Sequence, residues 1–104
     1  MAQVKAVFYL PIRDNDGRDL SAETAKVQDE PFARFGGWTE ERTQTGSYRM
    51  ADGSEARDET VVISVVLPEE RLVELEEVLA QFRSATTQQA VYLEIYWSIE
   101  VRLV

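Results

Sequence analysis

Apolar and polar residues alternate from the start of the chain. In "VKAVFYLPI", Val4, Ala6, Phe8 and Leu10 fall on one parity and Lys5, Val7 and Tyr9 on the other, which predicts a first strand ending at Pro11. The next element is helical: Ser21 is placed to cap it, Glu23 lies in its first turn, and Gly36 and Gly37 supply the left-handed backbone that closes helices. Pro31 removes an amide from the middle of this segment, so the helix either kinks there or begins late, near Asp29. "WTEERTQTGSYRM" predicts a strand with a break at Gly46, and Asp52-Gly53 a hairpin turn into "TVVISVVL", a run apolar on both faces that suits a central strand. "PEERLVELEEVLAQFRS" predicts a second helix, with Pro68 suited to its first turn and Leu72, Leu75, Val78, Leu79 and Phe82 on one stripe.

The last segment, "AVYLEIYWSIEVRLV", carries Val91, Leu93, Ile95, Trp97, Ile99, Val101 and Leu103 in unbroken alternation. As one strand it would run about 45 Å, against a usual length of about 17 to 20 Å. A single domain of this size cannot cover such a strand. Either it bends near Ser98, or its second half pairs with another subunit, and an uncovered apolar edge favours a homo-oligomer with Trp97, Ile99, Val101 and Leu103 at the interface.

The order strand, helix, strand, strand, helix, strand predicts an α+β domain of the ferredoxin-like βαββαβ plan: an antiparallel sheet, two helices on one face and a long C-terminal strand. With 104 residues, the chain is expected to be one domain, residues 1–104, burying roughly 60 to 65% of its unfolded surface unaided. Its composition, 44% hydrophobic and 29% charged, is globular and marks no linker.

Charge and the rarer residues narrow the chemistry. The chain has neither cysteine nor histidine, so thiolate nucleophiles, structural zinc sites, Ser-His-Asp machinery and the imidazole switch are not expected. The net charge of -8 opposes phosphate backbones and anionic lipid, and the arginines are scattered, so no nucleic-acid or membrane partner is expected. "MAQVKAVFYL" does not read as a signal peptide, and the expected compartment is the cytoplasm. No cofactor is expected.

"FGGWT" at residues 35 to 39, the "TGSYRMADG" hairpin and "QQAVYLEI" at the opening of the last strand resemble a group of small bacterial proteins with a ferredoxin-like fold, and more remotely the PII-like signalling proteins. The PII-like resemblance implies an adaptable loop at residues 44 to 59 and a trimer built by the sheet edges. The lysine- or arginine-rich nucleotide pocket of such proteins has no counterpart here.

"PIRDNDGRDLSAE" matches a calcium loop at Asp14, Asp16, Gly17 and Glu23, but Ile12 stands at the first ligand position and a strand precedes it. Asn15, Asp16 and Gly17 read instead as a turn. Gly36 and Gly37 follow a helix, where they cap, whereas phosphate-binding glycines precede one. The acids at 69, 70, 74, 76 and 77 read as a solvated helix face.

The sharpest candidate is the sheet face away from the helices, which should carry Tyr9, Tyr92, Glu94 and Tyr96, with Lys5 or Arg102 nearby. An aromatic open face needs a protein partner or a small-molecule ligand. Three functions fit: a non-enzymatic, self-associating interaction or ligand-binding module; a small dimeric α+β barrel enzyme with Tyr9, Glu94 and Tyr96 lining a cavity; and an acidic, DNA-mimicking inhibitor of a basic partner.

Overall fold

The computed structural model describes residues 2–49 and 51–104. Strand β1 spans Gln3–Pro11, helix α1 Ser21–Val27, strands β2 and β3 Thr39–Arg49 and Glu55–Pro68, helix α2 Leu72–Ala85, and strand β4 Tyr92–Ile99. The strands form one antiparallel sheet in the order β2-β3-β1-β4. That order, with one helical segment after β1 and one after β3, is consistent with a ferredoxin-like fold. No helix among the described residues is long and apolar enough to cross a membrane.

The parity of β1 decides the layers. Val4, Ala6, Phe8 and Leu10 are fully buried and join Ile63, Val65 and Leu67 of β3 in one core with the α2 stripe Leu72, Leu75, Val78, Leu79 and Phe82. Phe32 and Phe35, after α1, close this core, and the Phe32 ring lies 4.9 Å from Phe8 at 53°. Arg71 fastens the helical layer at the surface: its guanidinium lies over the Phe35 ring, donates to the Arg34 carbonyl at 3.0 Å and pairs with Glu74.

The first helical segment kinks. After α1 the chain widens into a π-type turn over Gln28–Phe32, where Pro31 cannot donate, then tightens through Ala33–Phe35 and ends at Gly36 with φ of 98°. Ser21 is the first helical residue rather than the cap; the side chain serving the helix start belongs to Asp19, whose carboxylate accepts from the Ser21 amide at 2.8 Å. In the preceding loop Asp14 accepts from the amides of Asp16 and Arg18 at 2.9 and 2.8 Å, and an Arg13–Asp19 bridge closes the turn. The oxygen that a calcium loop would turn toward the ion thus binds its own backbone.

Two expectations for the strands are corrected. The interruption of β2 is not at Gly46, which pairs regularly with Asp58; it is a bulge at Glu41, where Glu40 pairs with Ile63 and Arg42 with Val62. The final strand is not long: β4 has 8 residues, and a second bulge around Trp97 and Ser98 breaks its alternation, since Tyr96 pairs with Lys5 but Ile99 with Gln3. Ser98 takes φ of 57°, a left-handed conformation, so of the two outcomes open to the sequence the break near Ser98 is present in the strand.

The β2–β3 hairpin outgrows the sheet. β1 ends opposite Thr60, so within the segment 44 to 59 that the PII-like resemblance makes a loop, residues 44–49 and 55–59 are paired strand ends forming a two-stranded arm beside the turn at Asp52 and Gly53. The arm stretches the molecule to 46 × 26 × 25 Å, with a radius of gyration of 14.6 Å. A compact chain of this length would have about 13 Å.

Candidate functional site

The face of the sheet away from the helices carries the opposite parity of each strand. Lys5, Val7 and Tyr9 of β1 lie between Val66, Ser64 and Val62 of β3 and Tyr96, Glu94 and Tyr92 of β4. The bulge in β2 places two consecutive charged residues, Glu41 and Arg42, on this same face, which strict alternation forbids. The β4 bulge does the same for Ile99, which leaves the parity of Val91, Leu93 and Ile95 and joins Tyr96.

Val7, Val62 and Ser64 are buried although no helix covers them. Their cover is a layer of longer side chains, as amphipathic side chains commonly provide. Lys5 Nζ reaches across β3 to Glu41 Oε1 at 3.1 Å, and the same oxygen accepts from Ser64 Oγ at 3.1 Å. The Lys5 and Ser64 hydrogen bonds, aided by the Lys5 charge, hold the Glu41 carboxyl below the usual carboxylate range. Glu41 therefore stays ionised and is a poor proton acceptor for Ser64, which reads as a positioned partner rather than a nucleophile.

The tyrosine row is on this face as expected. The rings of Tyr9 and Tyr92 lie 4.6 Å apart and 36° off parallel. Glu94 accepts from both neighbouring tyrosines, from the Tyr92 hydroxyl at 3.1 Å and the Tyr96 hydroxyl at 3.3 Å. Through that hydrogen bond first, and the Glu94 charge second, the Tyr92 hydroxyl is pushed above its usual range. Tyr92 and Tyr96 remain about half exposed, at 55% and 49%.

Two hollows border this row, one lined by Tyr9 and Tyr92 and the other by Glu94 and Tyr96. A shallow one of about 320 Å³ lies over the centre of the face, between Lys5, Glu41 and Arg42 on one side and Glu94, Tyr96 and Ile99 on the other. A larger one of about 640 Å³ opens at the end of the sheet, floored by Tyr9 and Tyr92 and walled by the β1–α1 loop and the base of the arm. Among the described residues no cluster of acidic side chains has the geometry to hold a metal ion.

Of the side chains expected at the interface, Trp97 is 57% and Leu103 98% exposed, and Val101 is also uncovered; Ile99 is half-buried on the opposite face. Arg102, expected near Glu94, instead pairs with Glu100 at 2.8 Å in the tail. Sequence reasoning did not place Glu41, Arg42 or Ser64 in the site. The signal for Ser64 was present, since it is the single polar residue within the run Val61–Leu67 and so needs a polar partner. Glu41 and Arg42 gave no signal, because nothing in "TEER" marks which residue is bulged.

No family model matches the chain, and no curated protein matches it. Solved structures do match. A phage SAM lyase in complex with S-methyl-5'-thioadenosine aligns with a TM-score of 0.65 at 17% identity, covering 89% of this chain and 79% of the lyase. The same description in the apo state gives 0.63 at 16%, covering 93% and 80%. A Bacillus cereus protein related to NIF3 gives 0.60 at 15%, over 92% of this chain but 25% of its own. At such identities the likeness is one of fold. The neighbours and this chain are α+β proteins.

Proposed function

We propose that this ferredoxin-like βαββαβ domain is a self-associating module that binds a small ligand on its open sheet face, with Tyr9, Tyr92, Glu94 and Tyr96 as the contacting residues. The observation that carries the reading is the Tyr92–Glu94–Tyr96 set: two half-exposed rings fixed by hydroxyl bonds to one carboxylate, with Tyr92 lining one hollow and Glu94 and Tyr96 the other. Flat rings for stacking, one anionic anchor and a concave floor are the elements of a small-molecule site. The phage SAM lyase bound to S-methyl-5'-thioadenosine supports an adenosyl compound as the ligand, its base stacked on the Tyr9–Tyr92 pair and the remainder lying along Glu94.

Self-association is assigned to the segment from the β4 bulge onward. Trp97, Val101 and Leu103 are uncovered, and the sheet ends on two unpaired edges, β2 and β4. A two-stranded arm such as that of residues 44–49 and 55–59 is also marginal in water without further contacts.

Calorimetric titration with S-adenosylmethionine and with S-methyl-5'-thioadenosine tests the binding reading. Saturable binding that Tyr92→Ala abolishes supports it, and the absence of heat with both compounds would sink it. Native mass spectrometry tests assembly: a single-subunit mass at working concentration would remove that half of the proposal.

A second reading, an enzyme that cleaves the ligand, is favoured by the lyase likeness alone. Appearance of S-methyl-5'-thioadenosine on incubation with S-adenosylmethionine would support it.

A further inference from the structure

Four charged side chains border the central hollow of the open face: Lys5, Glu41, Arg42 and Glu94. Two of them satisfy each other. Lys5 and Glu41 are joined at 3.1 Å, and Ser64 fixes the carboxylate from beneath. The other two have no ion-pair partner among the described residues. Among the described residues Arg42 donates only from Nε, to the Gln44 side-chain carbonyl at 3.1 Å, which leaves the outer edge of its guanidinium without a bond to them. Glu94 accepts two tyrosine hydroxyls, which use about half of a carboxylate's acceptor capacity and add no neutralising charge.

From this arrangement we infer that the open face takes a dipolar ligand, with a carboxylate bound by Arg42 and an organic cation bound by Glu94 between the Tyr92 and Tyr96 rings. The inference rests on the ligand-binding reading above and names the chemistry of that site. A guanidinium edge is built for two parallel hydrogen bonds to a carboxylate. A carboxylate flanked by aromatic rings suits a soft, weakly hydrated cation such as a sulfonium, which gains from the ring faces as well as from the charge.

The spacing selects among dipolar ligands. Arg42 and Glu94 stand on the two edge strands, three strand spacings apart and offset by two residues along the sheet, since Arg42 lies in the row of Val62, Tyr9 and Tyr92 and Glu94 in that of Val7 and Ser64; both border the same hollow. Groups on opposite edge strands suit a ligand whose cationic centre and carboxylate are set several bonds apart. S-adenosylmethionine has that separation between its sulfonium and its carboxylate. S-adenosylhomocysteine keeps the carboxylate and the ammonium beside it and loses the sulfonium charge, and S-methyl-5'-thioadenosine lacks all three.

These three compounds, titrated calorimetrically into the full chain, test the assignment. Arg42→Gln should weaken S-adenosylmethionine and S-adenosylhomocysteine by about tenfold or more and change S-methyl-5'-thioadenosine by less than about twofold, with Arg42→Lys recovering part of the loss. Glu94→Gln should weaken S-adenosylmethionine by about tenfold and the two compounds whose sulfur is uncharged by less than about twofold. Both positions lie at the surface, and an unchanged circular dichroism spectrum and melting temperature confirm folding of each variant. Equal losses for all three compounds, or none, would overturn the dipolar assignment while leaving the face a ligand site. Failure of the unaltered protein to bind any of the three would overturn both.

Discussion

The two faces of the one sheet are built by different rules. On the helix side, β1 and β3 pair without a register shift and the residues they turn inward from Val4 to Leu10 and from Val61 to Leu67 are apolar, so the face is sealed by α2 and by Phe32 and Phe35. On the open side, alternation fails twice, at Glu41 and at Ser98, and those two irregularities bring Arg42 and Ile99 to the hollow. Regular pairing makes a core; bulges aim side chains where pairing alone would not.

The contrast in energetics is open to mutation. Phe32→Ala removes a fully buried ring packed on Phe8 and should cost about 3 to 5 kcal/mol, read by chemical denaturation. Tyr92→Ala on the open face should cost about 1 kcal/mol or less and act mainly on binding. Comparable losses at the two positions would mean that the open face is part of the core.

The β4 bulge is the next target. Ser98 occupies left-handed backbone that a β-branched residue adopts poorly, so Ser98→Val should destabilise by about 1 to 2 kcal/mol and Ser98→Gly should be neutral or slightly stabilising. If valine is tolerated as well as glycine, the alternation runs straight on and Ile99 belongs to the other face.

Titration separates the two halves of the open face. The folded-state value of Glu41 is depressed, so its stabilising contribution is fully present above the unfolded carboxylate value, about 4.3, and is lost as pH falls through the lower folded value. Melting temperature should therefore fall less steeply across that acid range in Glu41→Gln than in the parent chain. Tyr92 has the opposite sign: its folded value is raised, its contribution is whole below the unfolded value of about 10, and it is lost as pH rises through the folded one. In a spectrophotometric titration Glu94→Gln should let this hydroxyl ionise at lower pH; an unshifted curve would mean that the Tyr92–Glu94 bond does not form in solution.

The smallest expected effect is at the tail. Leu103→Asp should leave melting of the subunit within about 0.5 kcal/mol, because the side chain is almost fully exposed in one subunit, while lowering the subunit count seen by native mass spectrometry.

The α2 stripe, the kink at Pro31, the close at Gly36 and the turn at Asp52 and Gly53 were legible because each rests on local chemistry: a period of 3.6, a missing amide, a backbone that only glycine adopts cheaply. The tyrosine row was legible for the same reason, since Tyr92, Glu94 and Tyr96 keep the two-residue period before the bulge. Strand register was not. Whether "TEER" bulges, and whether "YWSIEV" runs on for its whole length, depends on the strands beside them, and a single extra residue moves every later side chain to the other face. The sequence by itself therefore determined the elements, their order and the core side of β1, because these follow from local periodicity and backbone preference. The pairing of Lys5 with Glu41, the support from Ser64 and the meeting of Arg42, Glu94 and Ile99 over one hollow were decided only by tertiary structure, because each joins strands whose relative register is set by packing across the sheet.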